Sequence, residues 1–163
     1  MHPTLLFQLL VLLVVANGAP VFAKKGLGDR FAQPVDGGLP LPDGQPLFGP
    51  AKTVRGVIFS LLATPLAARL MGFDWQVGAL IAAGSVAGDL FSSFVKRRLG
   101  LPASSMAIGL DHVPESLFPL AACRLLLPVT FLDIFVGVAI FFAGALILSP
   151  ILFRWHIRDR PYP

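Results

Sequence analysis

Residues 75–98 read WQVGALIAAGSVAGDLFSSFVKRR, and this stretch decides the class of fold. Residues 75–95 form an apolar run of helical length, closed by three consecutive cations, Lys96, Arg97 and Arg98. About 20 residues of helix cross the hydrocarbon core of a bilayer, so the run reads as a membrane helix with a basic collar. Within it, Gly84 and Gly88 form a G-x-x-x-G step, with Ala79 and Ala83 as a second small pair. Such spacing lets helix backbones approach closely in lipid. The simplest use of these glycines is packing, either within the chain or across a homodimer.

One charge stands inside the run. Asp89 lies seven residues before Lys96, about 10 Å deeper at 1.5 Å rise per residue, and on nearly the same helix face. Asp89, Ser93 and Lys96 therefore form one polar stripe running from inside the membrane to its edge. An acid inside a membrane helix is expensive and is a functional candidate by default; an internal salt bridge would account for it as well.

Outward from this stretch the chain repeats the pattern. Of its 163 residues 55% are apolar and 13% charged, with a mean hydropathy of +0.77, outside the balance of a soluble domain. Further apolar segments occupy residues 3–22, 54–72, 114–128 and 131–153. Residues 5–15 contain a single polar side chain, Gln8, and residues 131–153 only Asp133 and Ser149. The first segment lacks the cationic start of a secretory signal and reads as a retained helix. Residues 24–50 hold five prolines and three aspartates, which makes them a loop, long enough to be functional. The expected fold is an all-α integral membrane protein of about five transmembrane helices. It forms a single domain over residues 1–163, with polar loops at 24–50 and 96–113.

Orientation follows from the distribution of Lys and Arg in short loops. Five helices place Lys24, Lys25, Arg30, Lys52, Arg55, Lys96, Arg97, Arg98, Arg154, Arg158 and Arg160 on one side, which is 11 of the 13 basic residues. That side is expected to be cytoplasmic, with the N-terminus outside and the C-terminus inside. The net charge of +4 is explained by this topology. No nucleic-acid role is implied, because aromatic residues are not interleaved with the cations. The single cysteine, Cys123, excludes a disulfide framework or a cysteine metal site.

Two loop segments add to the stripe. Lys52-Thr53-Val54-Arg55-Gly56 places two cations and a hydroxyl where a helix begins, and a helix N-terminus offers free N–H groups to phosphate oxygens. Lys96, Arg97 and Arg98 add three cations on the same side, which by themselves would equally serve as headgroup anchors. Cations beside an intramembrane acid suit phosphate chemistry, in which carboxylates hold magnesium and Lys or Arg offset charge on the transferred group. Asp89 and Asp111 are the carboxylates nearest the basic run, and Glu115 lies one helical turn beyond Asp111. His112, between them, could ligate or merely cap, and the capping role is the simpler reading.

Several motifs in order carry a family resemblance: Asn17-Gly18-Ala19-Pro20-Val21, Pro34-Val35-Asp36-Gly37-Gly38, residues 43–56 (DGQPLFGPAKTVRG) and residues 88–98 (GDLFSSFVKRR). Together they resemble the CDP-archaeol synthase family. That family is similar in turn to phosphatidate cytidylyltransferases, whose Ser-x-x-Lys-Arg run is matched from Ser93 to Arg97. The resemblance implies a magnesium-dependent cytidylyltransferase in the cell membrane, converting CTP and a membrane lipid phosphate into a CDP-activated lipid and pyrophosphate. It implies Asp89, Lys96 and Asp111 as catalytic residues, with Asp89, Asp111 and Glu115 toward magnesium. Asn17, Asp36, Lys52, Thr53, Arg55, Gly56, Ser93, Arg97 and Arg98 are implied as substrate-binding. The chain departs from the family pattern after the basic run. A Pro-Gly turn and an Asp-Gln-Leu-Asp motif are replaced by Pro102-Ala103 and Asp111-His112-Val113-Pro114-Glu115, so Pro114 stands where a second acid is usual. A non-catalytic membrane protein binding lipid phosphate or nucleotide is the alternative on the same scaffold. A small transporter ranks last, since no pair of broken helices repeats.

Overall fold

A computed structural model describes residues 1–102, 105, 107 and 109–154. Five helices follow in order: α1 (Pro3–Leu27), α2 (Val54–Leu70), α3 (Trp75–Arg98), α4 (His112–Cys123) and α5 (Phe131–Arg154). Among the described residues there is no strand, only isolated bridges between Pro34 and Thr53 and between Pro40 and Pro46 in the loop joining α1 to α2. The expected all-α fold is the one observed.

Helix lengths refine the expectation of about five spans. α1, α3 and α5 are long and apolar enough to cross a membrane. α4 has 12 residues, about 18 Å of helix against a hydrocarbon core of about 30 Å. Its apolar composition continues beyond Cys123, but residues 124–127 turn back in short hydrogen bonds to Ala121, Ala122 and Cys123. α1 is longer than its apolar core suggests. It carries Lys24 and Lys25 in its last turn and stops at Gly28, whose φ of +57° is costly for a residue with a Cβ.

α3 is the central helix, packed against α1, α2 and α4, while α5 closes the bundle against α4 and α1. Gly84 and Gly88 make the α3–α4 contact possible. A Cβ at Gly84 would stand 2.6 Å from Pro119 Cα, and one at Gly88 would collide with the Pro114 carbonyl. The G-x-x-x-G face is thus occupied within the chain rather than free for a dimer partner. Ala83 is exposed, and Gly78 instead seats α2, its Cβ position 2.5 Å from Pro65 Cα. Leu9, Leu12, Leu13, Ile81, Leu120 and Cys123 fill the core. Phe7, Leu62, Leu66, Phe135 and Ile147 point outward, as a lipid-facing surface requires.

At one end of the bundle the starts of α1 and α5 meet, because Asp133 accepts the His2 backbone N–H at 2.9 Å. The opposite end therefore gathers the C-termini of α1, α3 and α5 with the N-termini of α2 and α4. Lys24, Lys25, Lys52, Arg55, Lys96, Arg97, Arg98 and Arg154 all belong to that end, whereas Arg124 sits at the other, 3.9 Å from the Phe131 ring. Arg158 and Arg160 lie outside the described residues, as does Ala103.

Candidate active site

The basic end encloses a cavity of about 300 Å³, at the small end of ligand pockets, which run from about 300 to 1,000 Å³. Ten residues singled out in the sequence line it: Asn17, Lys52, Thr53, Gly56, Asp89, Ser93, Lys96, Arg97, Asp111 and Glu115. The α-helical period puts Asp89, Ser93 and Lys96 on one face of α3, and that face is the cavity wall.

Pairing across elements sets the electrostatics. Lys52, from the loop ahead of α2, donates to Asp89 Oδ1 at 2.5 Å. Lys96 lies 2.5 Å from Asp111 Oδ1 and donates to the Ser105 carbonyl at 3.1 Å, while Asp111 Oδ2 accepts the Ala107 N–H at 2.8 Å. Burial opposes the Lys52 charge, but Asp89, with Glu115 and Asp111 behind it, outweighs burial and raises the ammonium above the ordinary lysine value. Thr53 caps α2 by accepting the Gly56 N–H at 3.3 Å, which aims the positive end of the α2 dipole at the cavity.

Three further nominated residues hold the scaffold instead of lining the cavity. Arg55 is buried and donates to the carbonyls of Gly28 and Arg30, the latter at 2.7 Å, fastening the end of α1 to the start of α2. Arg98 pairs with Asp43 at 2.6 Å, donates to the Pro46 carbonyl and lies over the Phe94 ring. Asp36 accepts the N–H groups of Gly38, Phe48 and Gly49 at 2.8–3.0 Å. Burial works to raise its pKa, but those backbone donors prevail and hold it below the ordinary carboxylate value. Asp36 thereby fixes the loop that brings Phe48 to the cavity.

Phe48 and Ser105, which sequence reasoning passed over, also line the wall, as does His112, which it read as a cap. Polar atoms of Arg97 (Nε), Ser105 (Oγ) and His112 (Nδ1) are buried without a hydrogen-bond partner among the described residues. Orphaned polar atoms are costly, and three among the residues lining one cavity suit a ligand rich in oxygen. Asp89, Asp111 and Glu115 face this cavity, yet among the described residues no three His, Cys, Asp or Glu side chains gather as a ready-made metal cluster. Pro114 is buried against Gly88, while Glu115, its neighbour, is the acid that reaches the cavity.

The family model described as CarS-like, CDP-archaeol synthase, matches residues 4–162. The chain belongs to the CDP-archaeol synthase family. It is similar to the CDP-archaeol synthase of Pyrococcus furiosus, at 34% identity over 123 residues that cover 69% of this chain and 70% of the relative. With the CDP-archaeol synthase of Thermococcus onnurineus it shares 35% identity over 129 residues, 72% and 71% of the two chains. A solved structure of an intramembrane enzyme for archaeal membrane lipids biosynthesis matches with a TM-score of 0.71 and 33% identity. That match covers 86% of this chain and 90% of the other. The fold gives the motifs around Asp36, Lys52 and Asp89 a common setting: loop, pocket rim and pocket wall of one membrane bundle.

Proposed function

We propose that the chain is a cytidylyltransferase that transfers CMP from CTP to a membrane lipid phosphate, releasing pyrophosphate and leaving a CDP-activated lipid. The observation that carries this reading is the meeting of Lys52, Lys96 and Arg97 with Asp89, Asp111 and Glu115 on one cavity at the basic end of the bundle. By the positive-inside rule that end faces the cytoplasm, where CTP is available, and it lies at the membrane edge, where a lipid phosphate arrives.

A phosphate oxygen of the lipid attacks the α-phosphorus of CTP in line. The new P–O bond forms as the bond from the α-phosphorus to the pyrophosphate oxygen breaks, and pyrophosphate departs with the electron pair. Lys52, Lys96 and Arg97 offset the charge on both phosphate groups, and the start of α2 turns the positive end of its dipole toward them. Magnesium fits the donor set, because it takes one or two protein carboxylates and completes its shell with water and substrate oxygens. Asp89 and Asp111 would hold it, with Glu115 alongside, and when bound it draws charge from the phosphate oxygens. In the ligand-free pairing, Lys52 is held by Asp89 and Lys96 by Asp111; on substrate binding the ammonium groups turn to phosphate.

Purified protein in lipid, given labelled CTP, magnesium and ether or ester lipid phosphates, is expected to form labelled CDP-lipid and pyrophosphate. Absence of product with every lipid phosphate overturns the reading. Binding of CTP without conversion would instead support the non-catalytic alternative, which the replacement of an acid by Pro114 favours.

A further inference from the structure

His112 is the first residue of α4 and lines the polar cavity beside Asp111 and Glu115. Its side chain is buried, and its Nδ1 atom has no hydrogen-bond partner among the described residues. Residues three apart share a helix face, and Glu115 accordingly brings its Oε2 atom to 3.8 Å from that nitrogen. The separation is too long for a hydrogen bond. The imidazole is nevertheless held in place. The Phe142 ring of α5 meets it edge-on at 5.7 Å between centroids, and the Ser116 hydroxyl donates to the His112 carbonyl at 2.8 Å.

A neutral imidazole offers a nitrogen lone pair, and a nitrogen beside a carboxylate oxygen without a bond between them suits two ligands of one cation. Donors about 2.0–2.2 Å from a shared ion stand about 3 Å apart when adjacent and about 4 Å apart when opposite. The spacing of 3.8 Å falls within that span. A phosphate oxygen at the same point would satisfy the imidazole but meet repulsion from Glu115, whereas a cation satisfies both. The change of sequence in this segment fits the same assignment. Pro114 is turned against Gly88, so the acid usual at that position gives way to donors on either side of it, at 112 and 115.

We infer that His112 Nδ1 and Glu115 together bind the divalent cation of this cavity, and that the nitrogen donor shifts its preference from magnesium toward first-row transition ions such as manganese. The cytidylyltransferase reading underlies this assignment, because it supplies the phosphate oxygens that complete the shell. Magnesium favours oxygen ligands, while imidazole suits transition ions. Two protein donors accord with the absence of a closed cluster of three among the described residues.

The test is pulsed EPR of manganese bound with inorganic triphosphate, which contains no nitrogen, to the full chain freed of any affinity tag. Nitrogen modulation from one imidazole is expected, and it should change to the heavier isotope's pattern in unaltered protein made with isotopically labelled histidine. His112→Gln should erase the modulation and weaken manganese binding by about 10–100-fold, the range for losing even an outer partner of a metal ligand. Magnesium binding should weaken much less. His112→Asn takes its place if the glutamine variant does not fold. Bound manganese without nitrogen modulation overturns the inference, as do modulation that persists in the folded variant and failure to bind manganese at millimolar concentration. Imidazole modulation in protein that forms no CDP-lipid defeats the transferase reading alone, and turnover with an all-oxygen manganese shell defeats the His112 assignment alone.

Discussion

The Lys52 ammonium lies 2.5 Å from the Asp89 carboxylate, joining the loop ahead of α2 to an acid inside α3. Each partner is partly open to the cavity, with side chains 25% and 37% exposed, so the pair is available to ligand as well as to itself. Asp89→Asn and Lys52→Met are each expected to lower turnover by about 10²–10³, the range seen when one preorganised charge-stabilising group is removed. The double variant should lose much less than the product of the two, because the second change removes a group whose partner is already gone. Steady-state rates with CTP and lipid phosphate, alongside CTP binding, measure both. The raised Lys52 value adds a sign: its pairing is complete below the ordinary lysine value and fades only as pH rises through the higher folded one. No alkaline limb from Lys52 should therefore fall below about pH 10.

Close backbone contact between α3 and α4 leads to a second prediction. Gly88→Ala sets a methyl group against the Pro114 carbonyl and the Glu115 Cα, backbone atoms that cannot swing aside. A loss of about 1–3 kcal/mol is expected from such overpacking, with turnover falling as Glu115 and Asp111 are displaced. Gly26→Ala is the contrasting case: its Cβ position is open and it lies within α1, so about 0.5–1 kcal/mol of added stability is expected. Thermal unfolding of both variants in detergent reads the difference.

Asp36 gives the third. Its folded pKa is depressed by backbone N–H donors, so the stability it contributes is complete above the ordinary carboxylate value, about 3.9. That contribution is lost as pH falls through the lower folded value. Asp36→Ala should remove this acid-dependent part and loosen the segment holding Phe48. The expected readout is faster proteolysis of residues 34–50 at neutral pH, together with a higher KM for CTP. Unchanged proteolysis and KM would refute the role.

The sequence exposed the wall of the site more clearly than its floor or its fastenings. Asp89, Ser93 and Lys96 share a face because helical period dictates it, and a long apolar run makes the helix certain. The partner of Asp89 was not legible in the same way, since Lys52 reaches it from the end of an irregular loop whose course depends on Asp36 and on the clasp formed by Arg55. Arg55 and Arg98 look like phosphate ligands in one dimension and act as fasteners in three, because burial against carbonyl groups is invisible in spacing. The length of α4 was obscured for a related reason: Leu125, Leu126 and Leu127 are as apolar in a turn as in a helix. Pro114 could be seen to replace an acid, but only the α3–α4 contact reveals that it is buried against Gly88 while Glu115 reaches the cavity.

Asp133 supplies the last prediction, and it separates an acid used for folding from acids used for chemistry. It sits in an apolar segment, as Asp89 does, but its carboxylate accepts the Thr130 N–H at 3.0 Å, the Thr130 hydroxyl at 2.7 Å and the His2 N–H at 2.9 Å. Thr130 in return accepts the Asp133 N–H at 3.1 Å, a reciprocal cap on the start of α5. These contacts close the end of the bundle opposite the cavity. Asp133→Ala should therefore lower the unfolding temperature, while turnover per folded molecule and KM for CTP stay at wild-type values below that temperature. Asp89→Asn should do the reverse, leaving the unfolding temperature close to wild type and lowering turnover by about 10²–10³. If Asp133→Ala abolished turnover in protein that remained folded, the division between the two ends of the bundle would be wrong.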